Sequence, residues 1–182
     1  MVELSVIRDL VAIFGVLAGL TYYFLTVRNA QKARQTQVLM QLYQSMYNPE
    51  NSKRLWELLA MRWEDYDDYM EKYSPQTNPD HAAMRIAYWY LYDGLGMLVR
   101  NKVVDVKTVY RTLGRRIIMV WYKFETVFKR LRLDEERELG SDYLEDFEHL
   151  AKEIIKIRKQ KGQPLPIQYL HPTSSLRPEL KT

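Results

Sequence analysis

Apolar residues run unbroken near the start of the chain and recur at helical spacing through most of the rest. Residues 10–27, LVAIFGVLAGLTYYFLTV, carry no charge. Eighteen helical residues rise about 27 Å, close to the thickness of a bilayer's hydrocarbon layer. Val2, Leu4, Val6 and Ile7 extend the apolar character backwards past Arg8 and Asp9, charges suited to the headgroup region or to pairing with each other. Tyr22, Tyr23 and Phe24 stand near the far end, where amphipathic rings favour the interface. The pattern predicts a transmembrane anchor over 1–28. A cleaved signal peptide would start basic and end on small residues, whereas Glu3, Arg8 and Asp9 open this chain and Tyr-Tyr-Phe-Leu closes the run. A buried core helix is seldom apolar on every face over such a length.

Beyond the anchor the period stays close to 3.6. Over 29–47, Ala30, Ala33, Val38, Leu42 and Met46 share one face and Gln31, Lys32, Arg34, Gln35 and Gln41 another, which predicts a basic, amphipathic stalk. Asn48-Pro49 ends it and starts a second helix, since Asn caps and Pro suits the first helical position. That helix is predicted to carry Leu55, Leu58, Leu59, Trp63, Tyr66, Met70 and Tyr73 on one face. Asn78-Pro79-Asp80 repeats the start signal after a turn at 74–77. The third helix, 79–100, is aromatic enough to be placed at the centre of a bundle. Gly94 and Gly96 inside it cost about 1 kcal/mol each against Ala, and the return expected is close approach by a neighbouring backbone. Asp105 caps a fourth helix with an unbroken seam from Val106 to Leu131. After a charged linker over 133–140, Ser141 caps a fifth, with Leu144, Phe147, Leu150, Ala151, Ile154 and Ile155 as its apolar face.

The bundle is thus expected over 48–161. A tail over 162–182, with Pro164, Pro166, Pro172 and Pro178, is expected to be extended or disordered. No strand alternation and no repeat of solenoid length is present. The fold predicted is all-α: an N-terminal transmembrane helix continuing into a stalk, then a cytoplasmic antiparallel bundle of about four to five helices.

Charge supplies the orientation. Arg28, Lys32 and Arg34 follow the span, and no acid stands between the span and Glu50. The positive-inside rule therefore puts the N-terminus outside and the remainder at the cytoplasmic face of the cell membrane. Within the span Gly15 and Gly19 form a GxxxG, the spacing that lets two helices approach in lipid. It reads as a homodimer seam or as the ordinary small-residue content of such helices.

The chain has 182 residues and a net charge of +4, with 14 Tyr, 4 Trp and no Cys. Without Cys there is no disulfide, thiolate metal site or Cys nucleophile. From Arg100 to Arg132 ten Lys or Arg face two acids, net +8, and Lys107, Arg111, Arg115 and Arg116 concentrate that charge. From Leu133 to Leu150 eight acids face one Arg, net −7. The two stretches are expected to oppose each other inside the fold, and the alternative is contact with anionic lipid. Nucleic acid is disfavoured, because the aromatic residues follow the apolar seam and do not interleave with the basic face.

Candidate chemistry is thin. His81, His149 and His171 are far apart, and Glu145 with His149 is a lone i, i+4 pair; a binuclear carboxylate site would want several Glu-x-x-His pairs. Glu64, Asp65, Asp67, Asp68 and Glu71 lack the Gly of a calcium loop and read as a solvated helix face. Neither GxSxG, nor GxxxxGK[ST], nor HExxH occurs. The sequence therefore names no catalytic, metal or cofactor residue; an enzyme would need a spatially assembled site, with Asp93, Glu125 and Tyr residues as its material.

One pattern is familiar. It comprises Tyr92-Asp93-Gly94-Leu95-Gly96-Met97-Leu98-Val99-Arg100, Val103-Val104-Asp105, Leu113-Gly114, Trp121, Phe124, Arg132 and Phe147-x-x-Leu150. Behind an anchor and a basic stalk, it resembles a group of prokaryotic single-pass proteins catalogued only as a domain of unknown function. The resemblance spans about residues 5 to 155 and implies architecture without an activity or cofactor. The function expected is a membrane-tethered interaction or scaffold protein with a cytoplasmic protein partner. The alternatives are a binder of anionic lipid or nucleic acid through the basic helix, and an enzyme.

Overall fold

The computed structural model describes residues 4–134 and 139–166. Every regular element among them is helical. The chain divides into two compact units, Met1–Leu42 and Tyr43–Thr182.

The first unit is carried by α1, Leu4–Met46, whose last turn belongs to the second. Its large apolar side chains from Leu4 to Val27 are exposed, Phe14 and Val11 both at 67 %. By length and composition α1 is a candidate membrane span, with none of its apolar window buried. Arg8 and Asp9 pair at 3.2 Å. Thr21 donates its hydroxyl to the Leu17 carbonyl at 2.8 Å, satisfying within the helix a polar group that an apolar solvent would not.

Among its described residues the second unit packs six further helices: α2 (Pro49–Ala60), α3 (Tyr66–Tyr73), α4 (Pro79–Arg100), α5 (Val106–Thr112), α6 (Gly114–Leu131) and α7 (Glu145–Gln160). Three expected start signals act as read. The Asn48 side chain accepts from Asn51 N at 2.7 Å, that of Asn78 from His81 N at 3.3 Å, and that of Asp105 from Thr108 N at 3.0 Å. Pro49 and Pro79 occupy first-turn positions, where a missing N–H is harmless.

The structure differs from the expected elements at three places. The second predicted helix is two, broken over 61–65, and Asp65 starts α3 by accepting from Asp68 N at 2.9 Å. The fourth is also two, α5 and α6, divided at Leu113. The fifth starts at Glu145 rather than after Ser141; Leu144 precedes it in the left-handed region, at φ 58°. The described part of the second unit therefore contains six helices where about four to five were expected.

The centre is also elsewhere. Twelve of the 18 residues of α6 are buried, against seven of 22 in α4. Around α6, Trp89, Trp121, Phe124, Phe128 and Phe147 meet mainly edge to face. Trp89 lies 4.9 Å from Phe128, and Trp121 lies 5.5 Å from Phe147. Such aromatic pairs add about 1 kcal/mol each beyond burial. The part of the proline-rich tail beyond Pro166, with Pro172 and Pro178, lies outside the described residues.

Candidate functional site

α4 and α7 meet at a polar joint. Gly96 is there because the two backbones touch: a Cβ on it would lie 2.1 Å from the Asp146 carbonyl oxygen. The close approach expected of the glycine pair thus holds for Gly96, while nothing lies within 4 Å of a Cβ on Gly94. α7 has no side-chain cap of its own. Asp93, one turn before the contact, supplies one from α4, its Oδ1 accepting Phe147 N at 2.9 Å. A carboxylate on the third helical N–H is what a local N-cap would provide. Arg100 binds Glu145 at 3.0 Å and Asp146 at 2.7 Å. Arg132 binds Glu148 at 2.5 Å and donates to the carbonyl of Tyr143 at 2.8 Å.

Burial raises Asp93 above the usual carboxylate range, against the Phe147 hydrogen bond that lowers it. Burial likewise raises Tyr92 and Tyr143. The carboxylate Asp93 is thus spent on helix geometry. Glu125, the other acid weighed for chemistry, is 8 % exposed and pairs with Lys129 at 2.8 Å.

A second polar feature lies where the 61–65 break crosses α6. Lys123 is 1 % exposed. Its ammonium donates to the Met61 carbonyl and lies 4.5 Å from the ring centre of Trp63. It thereby satisfies a carbonyl left over where α2 ends. Burial pushes this lysine down to about 8, with Arg62 adding to the effect. Alongside is an open cavity of about 360 Å³ lined by Trp63, Glu64, Asp65, Tyr66, Asp67, Thr126, Val127 and Arg130. Glu64 and Asp65 are thus in a break and not on the solvated helix face expected of them. Asp68 accepts Glu64 N at 2.8 Å and pairs with Lys72, whose hydrogen bond holds its carboxyl below the usual range.

Sequence reading missed Lys123, although its phase gave it away: it stands three residues after Val120 and four before Val127, both on the seam. Arg85, three residues before Tyr88 and four before Trp89, is also buried, at 3 %. It donates to the Tyr73 carbonyl at 2.8 Å between the rings of Tyr69 and Trp89.

A family model described as a domain of unknown function, DUF4760, matches residues 10–154. The chain belongs to the DUF4760 family. The resemblance read from the Tyr92–Arg100 pattern is therefore borne out, and in this DUF4760 chain that pattern builds the α4–α7 joint. No curated protein and no solved structure matches it.

The charged residues of this DUF4760 protein divide by position. The acids at the start of α7 engage Arg100 and Arg132, at the two ends of the basic stretch. Lys107, Arg111 and Arg115 are exposed. Arg116 is half-buried: it donates to the Met46 carbonyl and to Ser52 Oγ at 3.1 Å, and sits 3.8 Å over the ring of Tyr47. Gly15 and Gly19 lie on α1 with open space around both. Among the described residues no group of three or more His, Asp or Glu could hold a metal ion, and His171 lies outside those residues.

Proposed function

We propose that the protein is a membrane-tethered interaction module. In this reading α1 holds it in the cell membrane through residues 10–27, with the N-terminus outside. The second unit docks a protein partner on the cytoplasmic side. The observation that carries the reading is the state of α1: eighteen uncharged residues exposed on every face, a surface that water penalises by roughly 25 cal/mol for each Å² and that lipid or a second helix would cover. Gly15 and Gly19 offer the seam for a homodimer.

Two further observations support interaction over catalysis. The half-buried Asp93 and Arg116 and the buried Lys123 are used in joining helices. The cavity beside Trp63 is open, with carboxylates and Arg130 at an aromatic floor, which suits a peptide segment presenting a cation and an apolar side chain.

Two measurements test it. After high-speed centrifugation the full-length chain is expected in the membrane pellet, released by detergent and not by alkaline carbonate; recovery in the supernatant overturns the anchor. A photoreactive residue at Tyr66 is expected to give one discrete protein adduct in native membranes, lost in Asp67→Arg. No adduct, or turnover of a substrate class by the purified protein, overturns the interaction reading.

A further inference from the structure

The two ends of α7 are treated differently. At its start Glu145, Asp146 and Glu148 are engaged by Arg100 and Arg132. At its other end, from Ile154 to Gly162, there are four cations (Lys156, Arg158, Lys159 and Lys161) and no acid. A helix dipole accounts for a cation or two in a last turn. It does not account for what lies beside them. α5 packs along this end of α7: Tyr110 donates its hydroxyl to Gln163, the Lys161 ammonium lies 4.8 Å from the Tyr110 ring centre, and Gly114 sits between Tyr110 and Ile154. α5 contains no acid either, and presents Lys107 and Arg111 one turn apart. Lys107, Arg111, Lys159 and Lys161 are all exposed, and none of the four pairs with an acid among the described residues. The Tyr110 contacts thus set the cation-bearing α5 beside the cation-bearing end of α7, about fifty positions further along the chain, an adjacency that the sequence does not display.

We infer that this α5–α7 surface is a docking site for anionic lipid headgroups. The inference rests on the proposed anchoring and adds the surface by which the second unit meets the bilayer. Anchoring selects lipid as the occupant. A cytoplasmic leaflet is negative, and each Lys or Arg close to it raises association about fivefold. Covalent tethering removes the need to find the surface from dilute solution, since a tethered site works at an effective concentration in the millimolar range. Four cations therefore hold the second unit to the leaflet more completely when the chain is already at the membrane than when it arrives from solution. Tyr110, amphipathic and half-buried, is of the residue type that lies at headgroup level.

The absence of cysteine makes the test direct. Gln160→Cys, exposed between Lys159 and Lys161, carries a donor dye on the full-length chain. The chain is placed in nanodiscs of phosphatidylcholine alone or with 30 mol % phosphatidylglycerol (~30 % anionic, within the range of natural leaflets), with an acceptor on a trace headgroup. Energy transfer is expected to be higher in the anionic discs, to fall in high salt as screening requires, and to drop to the neutral-disc level in K107Q/R111Q/K159Q/K161Q, whose helicity and melting stay those of the parent. Equal transfer in both discs overturns the inference and leaves an acidic protein as the occupant. Failure of the anchor is distinguishable, because the chain then elutes apart from discs. Co-sedimentation of that free chain with phosphatidylglycerol vesicles then reads the surface directly: about fivefold loss per cation removed supports it, and equal binding to neutral vesicles sinks it.

Discussion

The two units treat the same residue types in opposite ways. In the first, Leu10, Phe14, Leu17, Leu20 and Phe24 are 48 to 70 % exposed, whereas in the second Leu58, Phe124, Phe128, Phe147 and Leu150 are at 0 %. Polar groups invert as well. The first unit keeps its charges out of residues 10–27, while the second buries a lysine and an arginine and gives each a backbone carbonyl. The lesson is that hydrophobic content alone does not make a core: what matters is whether apolar side chains can find one another. The second unit has a closed interior in which the buried lysine and arginine each reach a backbone carbonyl, and the first has a surface awaiting a solvent of its own kind.

The contrast is broken most severely by charging the first unit. Leu17→Arg with Leu20→Arg replaces favourable insertion by a penalty of roughly 3 kcal/mol per residue at the middle of a span. The double variant is expected to leave the membrane fraction, with the second unit's circular dichroism and melting unchanged. If the second unit melts as well, the two are not independent.

Next in size is Gly96→Ala in the second unit. Its methyl group would need α7 to move away from α4, and overpacking of this kind costs about 3 kcal/mol. Chemical denaturation is expected to show that loss. Full stability in the variant would mean that the two backbones have room to part.

The buried lysine gives a pH signature. Lys123 titrates at about 8 in the fold, below the ordinary 10.5. Between those values the unfolded chain binds the extra proton, so stability rises with pH through the window, by about 1 kcal/mol per pH unit at most. It is flat with respect to this group below about 8, where both states are protonated. The rise is expected in wild type and absent in Lys123→Met; parallel pH curves for the two would remove the lysine from the account.

The smallest effect has the opposite sign. Gly94→Ala fills open space on a helix and is expected to stabilise by about 1 kcal/mol. Set beside Gly96→Ala, it separates two glycines that look alike in the sequence.

Local signals were legible and borrowed ones were not. Asn48-Pro49, Asn78-Pro79 and Asp105 start helices as written, because each cap lies within three residues of the N–H it binds. The break over 61–65 escaped because Leu59, Trp63, Tyr66 and Met70 stay in helical phase across it, and the capping Asp65 reads as one more surface acid. Ser141 looks like the start of α7 because nothing nearby advertises a cap on another helix. Lys123 and Arg85 do not stand out because cations are normally sorted to the outside, although both stand in phase with buried neighbours. Arg116 is engaged by the fold, while Lys107 and Arg111 stand on α5, which Tyr110 joins to the far end of α7 through a contact that no local pattern advertises.

The cap supplied by Asp93 has a consequence for the order in which the molecule is made. The carboxylate precedes the amide it receives by 54 residues, so α4 leaves the ribosome well before α7. α7 cannot set its first turn on its own chemistry; it closes on a receptor that earlier synthesis supplies. A nascent chain whose α4 has gone astray therefore leaves the start of α7 fraying, which ties the later helix to the correctness of the earlier one.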